Sequence, residues 1–345
     1  MTLNTPWGNT PTKFFFNLTP DLILNAVERL GYRCTGRCLT LNSMENRVYD
    51  VELDLDDSTL PKNSPERFVI VKFYRPGRWT KEQIQDEHDF LTDLVSNDIP
   101  VVAPIANAQL TTLHYDEVLD LFYTLFPKIG GRSPDELDDE MCERVGRLLA
   151  RMHGIGSTRI AKNRIKVNPQ TYGLDNLKWL IDSNTLPSEH RDRYQKVVES
   201  ICNKTDSWFS QAKQQRIHGD CHLGNLLWGA HGFFWVDFDD MVIGPPVQDL
   251  WLLVPGRDEY AQRKMRSVLR GYEMMAPFDR KTLRLIEPLR ALRFVHFAAW
   301  IGKRWEDPSF PKGFPQFATS RWWQEQIRDL EEELSLIDED PWQNL

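Results

Sequence analysis

Residues 216–225 read Arg-Ile-His-Gly-Asp-Cys-His-Leu-Gly-Asn, and they gather several chemically capable side chains within one short stretch. A second stretch, residues 233–240, reads Phe-Phe-Trp-Val-Asp-Phe-Asp-Asp, an apolar run that ends on carboxylates. Phosphoryl transfer needs a carboxylate near the attacking hydroxyl and oxygen ligands that hold Mg²⁺ on the phosphates. The two stretches therefore predict a phosphoryl-transfer site that contains Asp220, Asn225 and Asp237.

The spacing of these residues supports the same chemistry. Asp220 and Asn225 lie five positions apart, as do the Asp and Asn of a kinase catalytic loop. Asp237 follows an apolar strand pattern, where kinases place the metal-binding Asp that comes after that loop.

A lysine and a glutamate in the first third of the chain form a second candidate pair. Lys72 lies inside the apolar strand 68–74, where an unpaired ammonium would cost free energy. The helix predicted over about residues 80–96 has an apolar stripe, and Glu87 falls on that stripe. We expect Glu87 to face Lys72, either as the clamp that holds a nucleotide phosphate or as a structural ion pair.

The chain changes character near residue 127, which predicts an α+β protein of two lobes. Short β-rich runs dominate before that point, and helical patterns dominate after it. We expect a nucleotide-binding lobe over residues 1–126, a hinge over 127–132, and a catalytic and substrate-binding lobe over 133–345. Ser133-Pro-Asp-Glu predicts the start of the first helix of the second lobe. Further helices are predicted over residues 173–183, 188–212, 246–254, 258–275, 281–305 and 321–337, with a β region at 214–238.

Composition excludes several classes of protein. The chain has 345 residues and a formal net charge of −8, which argues against bulk affinity for nucleic acid or an anionic membrane. No apolar run approaches the roughly 18–20 residues that span a bilayer, and the N-terminus lacks the pattern of a signal peptide. The five scattered cysteines make a poor disulfide framework and favour a reducing cytoplasm.

The motif His218-Gly-Asp-x-His-x-x-Asn225 resembles the Brenner-type motif of the aminoglycoside phosphotransferase family, which has a protein-kinase-like fold. Flanking strings narrow the resemblance to bacterial Ser/Thr protein kinases of that family. The resemblance covers about residues 18–312, and these strings lie at 41–49, 71–76, 126–132, 244–251, 286–293 and 305–312.

The resemblance implies a role for each catalytic and metal-binding position. Asp220 would be the catalytic base. Asn225 and Asp237 would bind Mg²⁺, and Asp237 would also be a catalytic residue. The partners implied are ATP and a protein that offers a Ser or Thr hydroxyl.

The resemblance also implies the nucleotide contacts. Lys72, oriented by Glu87, would hold the α- and β-phosphates of ATP. Ser43, in the turn between the first two strands, would meet the phosphates. Phe126 to Ile129 would form the hinge that reads adenine through backbone groups.

Three positions depart from the pattern of regulated protein kinases. The nucleotide loop, residues 42–46, has no glycine, so Ser43 and backbone N–H groups must meet the phosphates. Asp237 is followed by Phe-Asp rather than Phe-Gly. His222 occupies a position where most protein kinases carry lysine, a feature shared with small-molecule kinases.

Neighbouring residues have structural interpretations. Asp249 is expected to accept backbone N–H bonds from the catalytic loop, and His218 to orient that loop by hydrogen bonding. Asp239 and Asp240 are expected to be turn and cap residues, and Cys221 a passive small residue.

The sequence thus predicts a monomeric, cytoplasmic Mg·ATP-dependent kinase that acts on Ser/Thr of proteins. One alternative keeps the fold and phosphorylates a small alcohol or amino sugar, although the cations of residues 286–312 disfavour a cationic acceptor. A second alternative is a metal-dependent hydrolase that uses His218, Asp220 and His222, which would leave Lys72 and Glu87 unexplained. A third is a nucleotide-binding module without activity, which is disfavoured because every catalytic position carries the required residue type.

Overall fold

A computed structural model describes residues 15, 18–56, 59–230 and 232–345 of the chain. It divides the chain into two units. Unit 1 is the chain up to Pro134 together with Gly224–Asp239, and unit 2 is Asp135–Leu223 together with Asp240–Leu345. The residues predicted as a hinge, 127–132, lie in unit 1.

Nine strands lie in the described residues. In chain order they are β1 (Cys34–Leu41), β2 (Arg47–Leu53), β3 (Phe68–Phe73), β4 (His114–Asp116), β5 (Leu121–Pro127), β6 (Gln215–Ile217), β7 (Leu226–Gly229), β8 (Gly232–Trp235) and β9 (Val242–Gly244).

Ten α-helices lie in the same described part of the chain. They are α1 (Pro20–Glu28), α2 (Lys81–Val95), α3 (Asp139–Gly156), α4 (Asp175–Asp182), α5 (Ser188–Gln211), α6 (Val247–Trp251), α7 (Glu259–Glu273), α8 (Ile286–Gly302), α9 (Ser309–Gly313) and α10 (Ser320–Glu339). A π-helix at Pro169–Leu174 precedes α4, and short 3-10 helices include Leu223–Asn225, Phe238–Asp240 and Arg280–Leu285.

Unit 1 is built on an antiparallel five-stranded sheet in the order β1-β2-β3-β5-β4. Its central strand β3 reads Phe-Val-Ile-Val-Lys-Phe, and only one of its six residues is not buried. The apolar side chains of β2, β3 and β5 form one core with α1. A polar group in β3 therefore needs a partner, because burial removes its hydration.

The hairpin β7–β8 also belongs to unit 1. Val101 forms an isolated bridge with Trp235 of β8, and Arg132 forms another with Trp228 of β7. The 214–238 region predicted as β structure is therefore divided, because β6 pairs with β9 in unit 2.

Unit 2 is mainly helical. Helices α3 and α7 pack closely because each offers a glycine at their contact. A Cβ at Gly146 would lie 2.1 Å from the Val268 carbonyl oxygen, and one at Gly271 would lie 2.0 Å from the Glu143 carbonyl oxygen. No helix among the described residues is long and apolar enough to cross a membrane.

The predicted helices agree with the structure except at two starts. The helix predicted over 281–305 corresponds to α8, which begins at Ile286 after the 3-10 helix Arg280–Leu285. Thr80 caps α2, which confirms the helix predicted over 80–96. The helix predicted to open at Ser133-Pro begins instead at Asp139, with Asp138 as its N-cap. Asp138 accepts a hydrogen bond from the Met141 N–H, so a second cap five residues downstream sets the boundary.

Candidate active site

Helix α2 brings Glu87 to the lysine of β3. The Thr80 hydroxyl accepts from the Gln83 N–H at 3.2 Å, and the Gln83 side chain accepts from the Thr80 N–H at 2.9 Å. This capping box sets the first turn of the helix. Two turns later Glu87 is 1% exposed, and its Oε1 lies 3.7 Å from Lys72 Nζ. The ion pair predicted from the helical periodicity is present.

Lys72 is surrounded by three carboxylates of unit 1. Its Nζ lies 3.0 Å from Asp239 Oδ1, 3.3 Å from Asp237 Oδ1 and 3.7 Å from Glu87. Burial alone would lower the pKa of Lys72, but Asp239, Glu87 and Asp237 together hold that pKa well above its usual value. The ammonium is therefore charged in the folded protein.

Asp239 has a larger role than the turn or cap predicted for it. It lies in the 3-10 helix Phe238–Asp240 and is 3% exposed. Besides Lys72, it pairs with Arg78, whose Nη1 lies 2.6 Å from Asp239 Oδ2. Two buried cations thus share one buried carboxylate. The sequence carried no periodic signal for this contact, because the residues involved are more than 160 positions apart.

Arg75 holds the loop predicted to meet the nucleotide phosphates. Its Nε donates to the carbonyl oxygen of Glu45 at 2.7 Å, and its Nη2 donates to that of Met44 at 2.9 Å. Its backbone N–H donates to Asn46 Oδ1 at 3.0 Å. Ser43 Oγ accepts from the Asn46 N–H at 3.3 Å and keeps its own O–H as a donor. These bonds order the loop without a glycine.

Asn225 and Asp237 flank one end of the β7–β8 hairpin. Asn225 directly precedes β7, and its carbonyl oxygen accepts from the Val236 N–H at 3.0 Å. Asp237 follows with a φ of +60°, in the left-handed region that few non-glycine residues adopt. The backbone thus places an amide side chain and a carboxylate at the same hairpin end.

The charges around Asp237 fit a bound cation. Its side chain is 56% exposed. Among the described residues, ion pairs around Asp237 join three cations to four carboxylates: Lys72, Arg75 and Arg78 to Glu45, Glu87, Asp237 and Asp239. Asn225 and Asp237 would hold Mg²⁺, a hard cation that prefers oxygen ligands and commonly shares them with substrate phosphates.

The residues predicted to read adenine lie at the end of β5. Phe126 is in the strand and pairs with Ile70 of β3. Ile129 follows the strand, and its side chain is 44% exposed.

In unit 2, Asp249 organises the loop that carries Asp220. It is fully buried, and its Oδ2 accepts from the His218 N–H at 2.9 Å while its Oδ1 accepts from the Gly219 N–H at 2.8 Å. Gly219 has a φ of +87°, and a Cβ there would lie 2.2 Å from the Asp240 carbonyl oxygen. Only glycine fits this position. The structural role predicted for Asp249 is present.

The carboxylate of Asp220 meets two basic side chains, one on each oxygen. Arg293 Nη2 lies 2.9 Å from Oδ1, and His222 Nε2 lies 3.3 Å from Oδ2. Burial acts to raise the pKa of Asp220, but the hydrogen bond from His222 and the charge of Arg293 hold it well below its usual range. Arg293 was not singled out from the sequence, where it was one of several cations in a helix.

The hydrolase alternative lacks its ligand set. His218 is fully buried, and its Nδ1 accepts from the Asp220 N–H at 3.2 Å, the loop-orienting contact predicted for it. In the described part of the chain, no three His, Cys, Asp or Glu side chains gather as a metal site would require.

The chain is similar to known phosphotransferases and kinases. The model of the "Phosphotransferase enzyme family" matches residues 43–286. "Stress response kinase A" of Escherichia coli (strain K12) is 36% identical over 330 residues, which cover 95% of this chain and 96% of that protein. "Serine/threonine protein kinase RdoA" of Salmonella typhimurium is 35% identical over 331 residues, with the same coverage.

Two solved structures share the fold at low sequence identity. An amicoumacin kinase, hAmiN, in complex with AMP-PNP, Ca²⁺ and Ami, has a TM-score of 0.70 and 18% identity over 91% of this chain and 93% of its own. A microcompartment-associated aminopropanol kinase has a TM-score of 0.68 and 18% identity over 95% and 100%. These similarities confirm the predicted α+β, protein-kinase-like fold.

The family model spans most of the chain, and the curated relatives align with nearly all of it. This protein therefore belongs to the phosphotransferase enzyme family and is a kinase similar to stress response kinase A.

Proposed function

We propose that the protein transfers the γ-phosphate of Mg·ATP to Ser or Thr hydroxyls of other proteins. The observation that carries this proposal is the position of Lys72, whose Nζ meets Glu87 and the metal-ligand candidate Asp237 at 3.7 and 3.3 Å. A lysine paired with a helix glutamate and next to an exposed carboxylate is the arrangement that positions ATP phosphates in kinases.

In this proposal the residues of unit 1 bind the nucleotide. Lys72 exchanges part of its contact with Asp237 and Asp239 for the α- and β-phosphate oxygens, and Glu87 keeps the ammonium aligned. Ser43 Oγ and nearby backbone N–H groups donate to the phosphates. Asn225 and Asp237 hold Mg²⁺, which neutralises charge on the phosphates when it is bound.

Asp220 acts as the base toward the acceptor. Its carboxylate hydrogen-bonds the incoming hydroxyl and accepts its proton as the oxygen attacks the γ-phosphorus and ADP leaves. The backbone bonds from His218 and Gly219 to Asp249 support this proposal because they limit the freedom of the loop. A base held in place lowers the entropy cost of reaching the reactive geometry.

The protein acceptor is supported by the name of the Salmonella relative, a Ser/Thr protein kinase. A small-molecule acceptor is the second candidate, because the similar solved structures include an amicoumacin kinase and an aminopropanol kinase. The proposed setting is the cytoplasm, with the chain acting as a monomer.

The test is a transfer assay with γ-labelled ATP and Mg²⁺. Casein, myelin basic protein and a panel of aminoglycosides and amino alcohols serve as acceptors, for the wild type and for Asp220→Asn. We expect phosphoserine or phosphothreonine on protein. The variant should bind ATP normally and lose about 10²–10⁴-fold in turnover, because an amide cannot take the hydroxyl proton.

Asp192→Asn is the matched control, because Asp192 is an exposed aspartate of α5 in the same unit. It should leave turnover unchanged. If Asp220→Asn kept near wild-type turnover, Asp220 would not be the base. If only the small molecules were labelled, the acceptor would be a small molecule and not a protein.

A further inference from the structure

The two basic side chains on Asp220 restrict access to the proposed base. Arg293 occupies Oδ1 at 2.9 Å, His222 occupies Oδ2 at 3.3 Å, and the carboxylate is only 17% exposed. An acceptor hydroxyl must hydrogen-bond one of these oxygens to give up its proton. Because the carboxylate is largely buried, the acceptor hydroxyl competes with one of the two side chains for the oxygen it uses, although each oxygen has a second lone pair.

An acceptor can reach either side chain, because Arg293, which projects from α8, is 41% exposed and His222 is 43% exposed. The two differ in what else they can bind. The guanidinium carries five N–H donors, and its contact with Asp220 uses a single nitrogen. A second anion can therefore bind the same guanidinium, and a bidentate anion would compete well with one carboxylate oxygen.

An aromatic surface continues from Arg293 along the same face of α8. Phe297 and Trp300 follow at i+4 and i+7, and their rings stack with centroids 5.7 Å apart. Phe314 meets both rings edge-on at 5.6 and 5.8 Å. Phe297 is 39% exposed, so apolar surface lies next to an accessible cation.

We propose that Arg293 selects the acceptor by charge, and that the preferred acceptor is a Ser or Thr residue flanked by acidic side chains. The guanidinium moves from Asp220 Oδ1 to the acidic side chain of the acceptor, which frees that oxygen for the hydroxyl. A cationic acceptor lacks the group that would draw Arg293 away, and it is also repelled by it. This inference deepens the proposed function and rests on Asp220 as the base.

The test uses three Ser peptides of equal length in which the flanking residues are Glu, Gln or Lys. The value of kcat/KM is measured for each peptide with the wild type, Arg293→Gln and Arg293→Glu. We expect the wild type to favour the Glu peptide over the Gln peptide by about 10- to 100-fold, the size of one hydrogen bond to a charged group. Arg293→Gln should bring the ratio close to one, and Arg293→Glu should favour the Lys peptide.

Arg284→Gln is the matched control. Arg284 lies in the 3-10 helix just before α8 and stacks on Trp208, with its Cζ 4.7 Å from the ring centroid. Its replacement removes the same charge from the same unit and should leave the peptide ratio unchanged. The KM for ATP should stay within about twofold in every variant, because none of the residues proposed to contact the nucleotide is changed.

Equal kcat/KM on the three peptides for the wild type would overturn the inference. An unchanged ratio in Arg293→Gln would overturn it as well, and a uniform loss on all peptides would assign Arg293 a merely structural role. If the wild type phosphorylates no peptide, the protein acceptor of the proposed function fails. The same variants are then compared on glycerate and aminopropanol, where an Arg293-independent ratio would overturn this inference too.

Discussion

Two clusters of mostly buried charges in the described part of the chain differ in how much of each is exposed to solvent. The Lys72 cluster of unit 1 comprises Lys72, Arg78, Glu87, Asp237 and Asp239. Four of its side chains are at most 8% exposed, whereas Asp237 is 56% exposed. Its lysine contacts are 3.0, 3.3 and 3.7 Å long, so no single carboxylate holds the ammonium alone.

The Glu287 cluster of unit 2 is less exposed to solvent. Arg257 Nη2 lies 2.8 Å from Glu287, Arg290 Nε lies 3.2 Å from it, and Trp342 Nε1 donates to it at 2.7 Å. Arg257 also pairs with Glu333. Arg257 is the most exposed ion-pair member, at 30%.

Burial of charge does not by itself mark a functional site. The Lys72 cluster has an exposed carboxylate and, among the described residues, one more carboxylate than cations, a charge that a bound metal ion can balance. The Glu287 cluster joins the segment before α7 to α8, α10 and the segment after α10, and both oxygens of Glu287 accept hydrogen bonds within the fold. We therefore propose that the first cluster serves catalysis and that the second stabilises the fold.

We expect the largest effect when Glu287 is replaced, which tests whether the Glu287 cluster stabilises the fold. Glu287→Ala leaves the buried Arg290, the partly exposed Arg257 and the Trp342 N–H without their common acceptor, so we expect the free energy of unfolding to fall by about 3–5 kcal/mol. Urea denaturation measures it. Activity per folded molecule should be unchanged. A loss below that of an ordinary surface substitution would show that the cluster does not stabilise unit 2.

The next effect concerns Lys72. Lys72→Met should lower kcat/KM for ATP by about 10²–10³-fold, the usual cost of removing one group that stabilises transition-state charge. Its melting temperature should change less than that of Glu287→Ala, because Arg78 still pairs with Asp239 and Asp237 is exposed to solvent, although Glu87 loses its lysine partner. Lys178→Met, at an exposed i,i+4 pair with Asp182, is the matched control. Unfolding of Lys72→Met with intact kcat in the folded fraction would reverse the assignment.

A smaller effect tests the coupling inside the Lys72 cluster. Glu87→Gln should reduce kcat/KM for ATP about tenfold, since Asp237 and Asp239 still hold the lysine. Combined with Lys72→Met it should add little further loss, because residues that act as a unit are non-additive by roughly 0.5–3 kcal/mol. A double-mutant cycle on kcat/KM measures this. Strict additivity would separate Glu87 from Lys72.

The smallest effect is a pH dependence of the Glu287 cluster. Burial and the neighbouring Glu287 raise the pKa of Glu333 from 4.5 to about 8. The folded state therefore holds a proton that the unfolded chain has released between these pH values. Raising the pH through this range should lower the free energy of unfolding.

Glu333→Gln tests this pH dependence by difference from the wild type. An amide mimics the protonated carboxyl, so the variant should lose little stability at pH 6 and should lack this part of the pH slope. Denaturation curves at pH 6 and pH 8.5 provide the comparison. Parallel slopes for variant and wild type would mean that Glu333 is ionised in the folded protein.

Part of the site could be predicted because it depends on local patterns. The strand around Lys72 and the stripe that carries Glu87 follow from periodicity, and their contact follows from the adjacency of β3 and α2. The Asp220–Asn225 spacing and the anchoring by Asp249 followed from motifs. The start of α3 was predicted wrongly because two cap signals, Ser133 and Asp138, compete within six residues.

Other contacts could not be predicted because they join distant segments. Arg78 is 161 positions from Asp239, and Arg293 is 73 positions from Asp220. Each is one cation among many in the sequence, and no period or spacing selects it.

The amino-acid sequence by itself determined the chemical groups of this protein: the strand lysine, the helix glutamate, and the Asp-x₄-Asn loop with its glycine. Local propensity and short-range spacing are enough to place such groups. The tertiary structure set the partners of those groups. It surrounds Lys72 with three carboxylates and pairs Arg293 with Asp220. It also brings the Arg75 side chain to backbone carbonyl oxygens of the loop that precedes β2. Those pairings form only when chain segments far apart in sequence are buried together. Burial removes water from the charged groups and strengthens their attraction, so each group then depends on the partner that the fold brings to it.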